Sequence, residues 1–308
     1  MELPILESKQ SLTNRKKKQA DLKTSDLSFI IAPKINAAGR LSDMTTGIQC
    51  LLAENLDQAS GFAKQLIKFN ENRKLIESDM VLSAIEELND QSFKISHSIV
   101  LTNDKWHQGV VGILASRLKE KYFRPTIIFA SFNDEMIKGS GRSIDSFHLR
   151  DALDLISKRH PSLIKTFGGH AMAAGLSIKK NDFKKFSEIF ELTCQEFMTP
   201  DLLNQTVEYD KSIEPENLNY PLAKMINEQV WGQGFPAPFF VDKFVVIHQE
   251  VIGEKHLKCF LKCEKKYQAI FFNHNQKLPD KIKAVYSIDT NEFNGNKSLQ
   301  IIIKSIME

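Results

Sequence analysis

Arginines, hydroxyls and glycines at close spacing mark four stretches of this 308-residue chain as suited to holding a phosphate. In Gly168-Gly169-His170-Ala171-Met172-Ala173-Ala174-Gly175, paired glycines allow backbone angles and close approaches that a Cβ forbids. Backbone N–H groups freed at such a turn make a cradle for an anion. His170 can donate to a phosphate oxygen, and donates better when protonated. A packing turn with a structural histidine is the competing reading. Lys138-Gly139-Ser140-Gly141-Arg142-Ser143 sets two hydroxyls and a guanidinium around two glycines. The planar fork of Arg142 matches two phosphate oxygens, and Ser140 and Ser143 add hydroxyls without bulk. A polar hairpin turn would carry the same residues. In Asn36-Ala37-Ala38-Gly39-Arg40, Asn36 and Arg40 stand four apart and share one face if the segment is helical. Here the alternative is helix packing with Arg40 in an ordinary ion pair. Trp106-His107-Gln108-Gly109-Val110-Val111-Gly112 precedes a glycine-rich helix start, where Trp106 and His107 either line a cleft or serve as core and cap.

The elements that must position these stretches are legible from hydrophobic period. Phe62, Leu66, Phe69, Ile76, Met80, Ala84 and Leu88 recur at helical steps with one gap at Arg73, which predicts a helix of roughly 30 residues. Asn55 or Asp57 is its expected cap, and Asn89-Asp90-Gln91-Ser92 its end. Beyond residue 93 the period changes. Strands are expected at Ser98 to Leu101, Pro125 to Ser131, Met136 to Ser140 and Ala174 to Ile178. Helices are expected at Val110 to Tyr122, at Leu149 to Arg159, and from a cap at Asn181 or Asp182 through Phe197. Such alternation predicts an α/β domain over about 93–198. Pro200 opens a linker, and after about 206 five short strands separated by Gly, Asn, Asp and Pro predict a small β-barrel of the OB-fold kind.

Composition sets the outer limits. At 42% hydrophobic and 26% charged, the chain is globular rather than disordered. A net charge of +3 neither demands nor excludes nucleic acid, so the placement of Lys and Arg decides. Four cysteines are too sparse for a disulfide framework. Cys259 and Cys263 lack a second ligand pair and read as packed thiols rather than a zinc site. No apolar run is long enough to span a membrane and no secretory leader is visible, so no membrane partner and a cytoplasmic location are expected. Arg15 to Lys18 form a basic run in a poorly patterned start, read as a solvated tail or a nucleic-acid arm.

In order and approximate spacing, the four stretches resemble the motifs of RecJ proteins, members of the DHH phosphoesterase superfamily. Lys23 to Leu27 resembles the approach to the Asn-Ala-Ala-Gly-Arg motif. Trp231-Gly232-Gln233-Gly234-Phe235-Pro236 resembles the start of the family's OB-fold, and Asn291 to Gln300 its final strand pair. The resemblance covers about residue 23 to the end. It implies a DHH-associated α/β domain joined by a long helix to the remnant of a catalytic domain, with a C-terminal OB-fold β-barrel. It also implies metal-dependent 5′–3′ exonuclease activity on single-stranded DNA in repair and recombination. Phosphate contacts are carried over to Arg40, Ser140 and Arg142, with Asn36 and Ser143 beside them. Gly168, Gly169 and His170 are placed near the scissile region.

The chain also departs from the family. The superfamily holds two divalent ions, Mn2+ or Mg2+, on aspartates and an Asp-His-His triplet, and no Asp-His-His occurs here. The resemblance therefore implies residues 1–54 as a remnant of the catalytic domain, 55–92 as the connecting helix, 93–198 as the DHH-associated domain and 206–308 as the OB-fold. It further implies no catalytic or metal-ligating residue in this chain and no ion held tightly by it alone. The expected partners are single-stranded DNA, a separately encoded N-terminal catalytic half and a single-strand-binding protein. A stand-alone single-stranded nucleic-acid-binding module, or a DHH phosphoesterase acting on short RNA, are the alternatives. Lys255, Lys258, Lys262, Lys265 and Lys266 make the barrel's middle strands basic, either to grip DNA or to guard a sheet edge.

Overall fold

The computed structural model describes residues 26–90, 97–232, 234–293 and 295–307. The chain divides into two compact units, with the boundary after Gln205. The basic run Arg15 to Lys18, the Lys23 to Ser25 part of the approach segment and the expected helix end at Gln91-Ser92 lie outside the described residues.

The first unit opens with a π-helical turn, Leu27–Ile31, that runs into α1 (Ala32–Leu41), then α2 (Thr45–Leu51) and the long α3 (Leu56–Asp90). Asn55 caps α3: its side-chain oxygen accepts from the Gln58 N–H at 2.9 Å, satisfying a donor that has no partner within the helix. The gap at Arg73 has a polar explanation. Arg73 binds Asn70 and Glu77 of its own helix, and Arg117 reaches Glu77 at 2.8 Å. Ala63 and Leu66 pack with Ile31, Ala38 and Cys50, so the small residues of α1 bring it close to α3.

The remainder is a five-stranded sheet, ordered β1-β2-β3-β5-β4, from β1 (Ile99–Thr102), β2 (Thr126–Ser131), β3 (Met136–Arg142), β4 (Ile164–Gly169) and β5 (Ala173–Lys179). β1 and β2 are parallel, joined by α4 (Val111–Tyr122); the other pairs are antiparallel. β2 is apolar on both faces because both are covered. Ile127 and Phe129 meet α5 (Leu149–Arg159) and α6 (Phe183–Phe197), whereas Ile128 and Ala130 meet α4 and α3. Phe129 stands edge-on to Phe186 at 5.5 Å, and Phe186 stacks on Phe190, so these phenylalanines are core. Asp182 precedes α6 without a side-chain cap bond, unlike the expected Asn181 or Asp182 cap.

The second unit contains α7 (Tyr220–Asn227) and strands β6 (Phe240–Ile252), β7 (His256–Lys262), β8 (Lys266–Phe271), β9 (Lys281–Phe293) and β10 (Asn296–Met307). They close in the order β10-β8-β7-β6-β9, with β8 and β10 parallel. From the sequence the five strands are expected at Phe239 to His248, His256 to Cys263, Tyr267 to Phe272, Ala284 to Ile288 and Leu299 to Ser305. β6, β9 and β10 run past these limits because backbone pairing with their neighbours continues, whereas β7 and β8 stay within one residue of them. Closure also removes the edge that the lysines of β7 and β8 would otherwise guard.

A polar knot fastens the preceding segment to this barrel. Asp242 accepts from the fully buried Tyr286 hydroxyl at 2.8 Å, from the Ile213 N–H at 3.2 Å and from the Ser212 hydroxyl. Burial, and then Asp242, push the Tyr286 hydroxyl far above its ordinary value, so it remains a donor. Asp242→Ala leaves that hydroxyl buried without its acceptor. A loss of about 2–3 kcal/mol in urea unfolding is expected, smaller when Tyr286→Phe is added.

Candidate nucleic-acid interface

Alternation along β3 sorts its residues. Gly139 and Gly141 face the core, where a Cβ would stand 2.6 Å from Phe129 and 2.7 Å from Leu149. Lys138, Ser140 and Arg142 therefore point to the opposite face. Register extends that face across three strands. Ser140 pairs with Gly175, and Gly175 with Gly168; one step further, Lys138 pairs with Ser177, and Ser177 with Thr166. Lys138, Gly175, Thr166 and Gly168 are exposed. The result is a flat floor of cations, hydroxyls and glycines, and it brings the Gly-Ser-x-Arg and Gly-Gly-His stretches into one row.

The loop before α4 joins the other two stretches to this floor. A Cβ on Gly109 would fall 2.0 Å from the Arg40 carbonyl oxygen, and Arg40 Nη1 donates to the Gly109 carbonyl at 3.2 Å. One turn on, a Cβ on Gly112 would lie 3.0 Å from both the Arg142 guanidinium and the Ser140 hydroxyl. Gly109 in the loop and Gly112 in the first turn of α4 thus let α1 and β3 both press against the start of this helix. His107 stabilises it: its Nδ1 accepts from the Gly109 N–H at 3.1 Å, while its carbonyl accepts from Val110 and Val111. Trp106 is buried, so of the two readings the core one describes it.

Two cations converge here. Arg142 donates to the Ser140 hydroxyl at 3.1 Å and to the Gly141 carbonyl at 2.7 Å, and Arg40 to the Gly109 carbonyl. Neither has a carboxylate partner among the described residues, so the ordinary ion pair expected as the alternative for Arg40 is not found there. Burial, and then the neighbouring Arg40 charge, push the Arg142 guanidinium below its ordinary value. Arginine nonetheless stays protonated at any working pH, and an anion bound beside the pair would relieve the repulsion.

Asn36 is exposed on α1, four residues from Arg40. Gly169 adopts φ 142°, and a Cβ there would meet the Ala173 carbonyl at 2.3 Å, so the β4–β5 turn requires glycine. At Gly168 a Cβ would meet nothing within 4 Å, so packing does not explain its lack of a side chain. His170 is exposed, with Nδ1 accepting from the Met172 N–H at 3.3 Å. Ser143 differs from the expectation: it is buried, and its hydroxyl donates to the Phe147 carbonyl at 2.6 Å, which shapes the turn into α5 rather than facing the floor. Beside the row, Phe167, Gly168 and Gly169 border a cleft of about 410 Å³ with Arg150, Asp151 and Asp154 of α5. Lys138 opens one of the four stretches but has no role assigned there, and Thr166 and Ser177 lie outside all four; strand alternation is the signal that could have found them.

On the barrel, His248, Phe260, Gln268 and Gln300 form one outward row across four strands. Phe260 is partly exposed, with His248 tilted 6.4 Å from it, and Lys258, Lys262 and Lys266 flank the row. Cys259 lies in the barrel core, where burial pushes its thiol up to about 11. Among the described residues no group of three His, Cys, Asp or Glu could hold a metal ion, and no helix is long and apolar enough to cross a membrane.

An α/β unit with this phosphate-suited floor, followed by a closed five-stranded barrel, defines a DHHA1 domain joined to an OB-fold. Residues 94–196 match the family described as DHHA1 domain, and residues 209–305 match the RecJ OB domain. The chain is a homologue of the RecJ single-stranded-DNA-specific exonucleases. It is 40% identical to RecJ of Escherichia coli K12 over 297 residues, covering 92% of this chain and 52% of that protein. RecJ of Haemophilus influenzae matches at 40% with the same coverage. The crystal structure of Thermus thermophilus RecJ in complex with Mn2+ superposes with a TM-score of 0.75 at 25% identity, over 93% of this chain and 42% of that one. The chain thus spans about half the length of the curated relatives it matches.

Proposed function

We propose that this chain is the DNA-holding part of a RecJ-type 5′–3′ single-stranded-DNA exonuclease serving repair and recombination. Residues 1–54 would then close a catalytic domain, the long helix would connect it to the DHHA1 domain, and the barrel would bind the strand. The observation that carries this reading is the convergence of Arg40 and Arg142, two guanidiniums without a carboxylate among the described residues. A phosphodiester supplies the missing charge, and Arg142 and the Ser140 hydroxyl present donors to its oxygens. The bare Gly168–Gly175 pair lets a sugar–phosphate backbone lie against the sheet. The outward Phe260 and its lysines suit stacking and charge on the barrel.

Divalent ions take carboxylate and carbonyl oxygens. The floor offers guanidiniums, an ammonium and hydroxyls, which do not fit Mn2+ or Mg2+. The role of these residues is therefore to bind and orient the strand, while two-metal hydrolysis needs a different donor set. Fluorescence anisotropy with labelled single-stranded and duplex oligonucleotides at several salt concentrations tests the reading. Preference for the single strand is expected, with log K falling against log salt at about 0.7 per phosphate held, hence a slope of about −2 or steeper. Absent or salt-independent binding overturns it.

A further inference from the structure

We infer that the row Lys138–Ser177–Thr166, with Phe132 beside it, is a second nucleotide subsite next to the Arg40–Arg142 phosphate site. The inference rests on the reading of the floor as a single-strand track, and it names where the next residue of that strand lies.

Lys138 stands two residues before Ser140 on β3, a step of about 6.7 Å along a strand on the same face. Its partners across the sheet are Ser177 and Thr166, so an ammonium and two hydroxyls share one row, parallel to Ser140–Gly175–Gly168. Lys138 and Thr166 are exposed, and Lys138 has no carboxylate partner among the described residues. Lys138 and Thr166 are therefore open to oxygens arriving from outside, with the half-buried Ser177 between them.

Phe132 supplies the second half of a nucleotide site. It closes the β2–β3 hairpin, where its N–H donates to the Met136 carbonyl at 2.9 Å, and its ring remains 49% exposed. Lys138 Nζ lies 3.4 Å from the ring centroid. A phenylalanine half exposed on a hairpin leaves part of its ring open, and a ring face beside a cation fits a base and its phosphate. When a nucleotide binds, the ammonium swings to the phosphate and the base takes the ring face that it vacates. Stacking of this kind accepts any base, so the subsite adds affinity without sequence preference.

The test titrates the full chain with 5′-phosphorylated oligothymidylates of one, two, three and four residues, and compares Phe132→Ala, Lys138→Ala and Arg142→Ala. Phe132 and Lys138 are exposed, so their replacement leaves folding unaffected. Phe132→Ala and Lys138→Ala are each expected to weaken the longer oligonucleotides about tenfold while leaving the mononucleotide unchanged. Arg142→Ala is expected to weaken all of them. Wild-type affinity for every length in both Phe132→Ala and Lys138→Ala, with Arg142→Ala still defective, overturns the subsite and leaves the phosphate site standing. Wild-type affinity in Arg142→Ala overturns the floor itself. Equal losses for mononucleotide and longer oligonucleotides in Lys138→Ala place that residue in the first site and also overturn the proposal.

Discussion

Arg142→Ala is expected to weaken single-stranded DNA binding about 10- to 100-fold without destabilising the fold. The loss follows from removing a charge-assisted donor pair, worth about 1.5–3 kcal/mol, from a phosphate. If Arg142 holds a phosphate as proposed, rather than a base, the loss is uniform across sequences, and the salt slope becomes shallower by about 0.7. Stability should hold or rise. Arg142 is half-buried beside Arg40 with no carboxylate among the described residues, so its removal relieves burial and repulsion together. Arg142→Lys should recover only part of the affinity, since a point charge cannot present the paired fork. The anisotropy titrations, run beside urea unfolding, check both halves. Unchanged affinity, or weak binding that tracks lost stability, would show that Arg142 is a structural residue.

The second large effect belongs to a residue without a side chain. Gly109→Ala places a Cβ where the Arg40 carbonyl oxygen now stands 2.0 Å away, so α1 and the loop before α4 must part. Overpacking of this kind costs about 1–3 kcal/mol, and here it also carries Arg40 away from Arg142. Lost stability and lost DNA binding are expected together. Gly168→Ala is the contrasting case. Nothing lies within 4 Å of its Cβ position and its φ is ordinary, so stability should be kept while binding falls. The same two methods separate the outcomes. If Gly109→Ala bound DNA normally, the loop would not be what holds Arg40 in place. If Gly168→Ala bound DNA normally, the strand would not approach the sheet at that point.

The α/β pattern, the long helix and the five barrel strands are visible from period alone, because each element must bury one face. Strand ends were less visible. β9 and β10 extend past the apolar stretches that marked them, since their backbone pairing continues from Asn296 opposite Phe293 to Met307 opposite Lys283. Ser143 shows the limit for single residues. Its place beside Arg142 in the chain gives no sign that its hydroxyl turns inward to the Phe147 carbonyl.

What the sequence determines by itself is a supply of suitable groups: guanidiniums, hydroxyls, glycines where a side chain would interfere, and the periods that set them on helices and strands. Which of them act together was decided by tertiary structure. Arg40 and Gly109 are 69 residues apart, and Gly168 meets Ser140 only through Gly175. A motif records local spacing, whereas strand register and the clearance left by a missing Cβ are set by the partner segment. That is why the four stretches become one charged floor only once the sheet and the loop before α4 have formed.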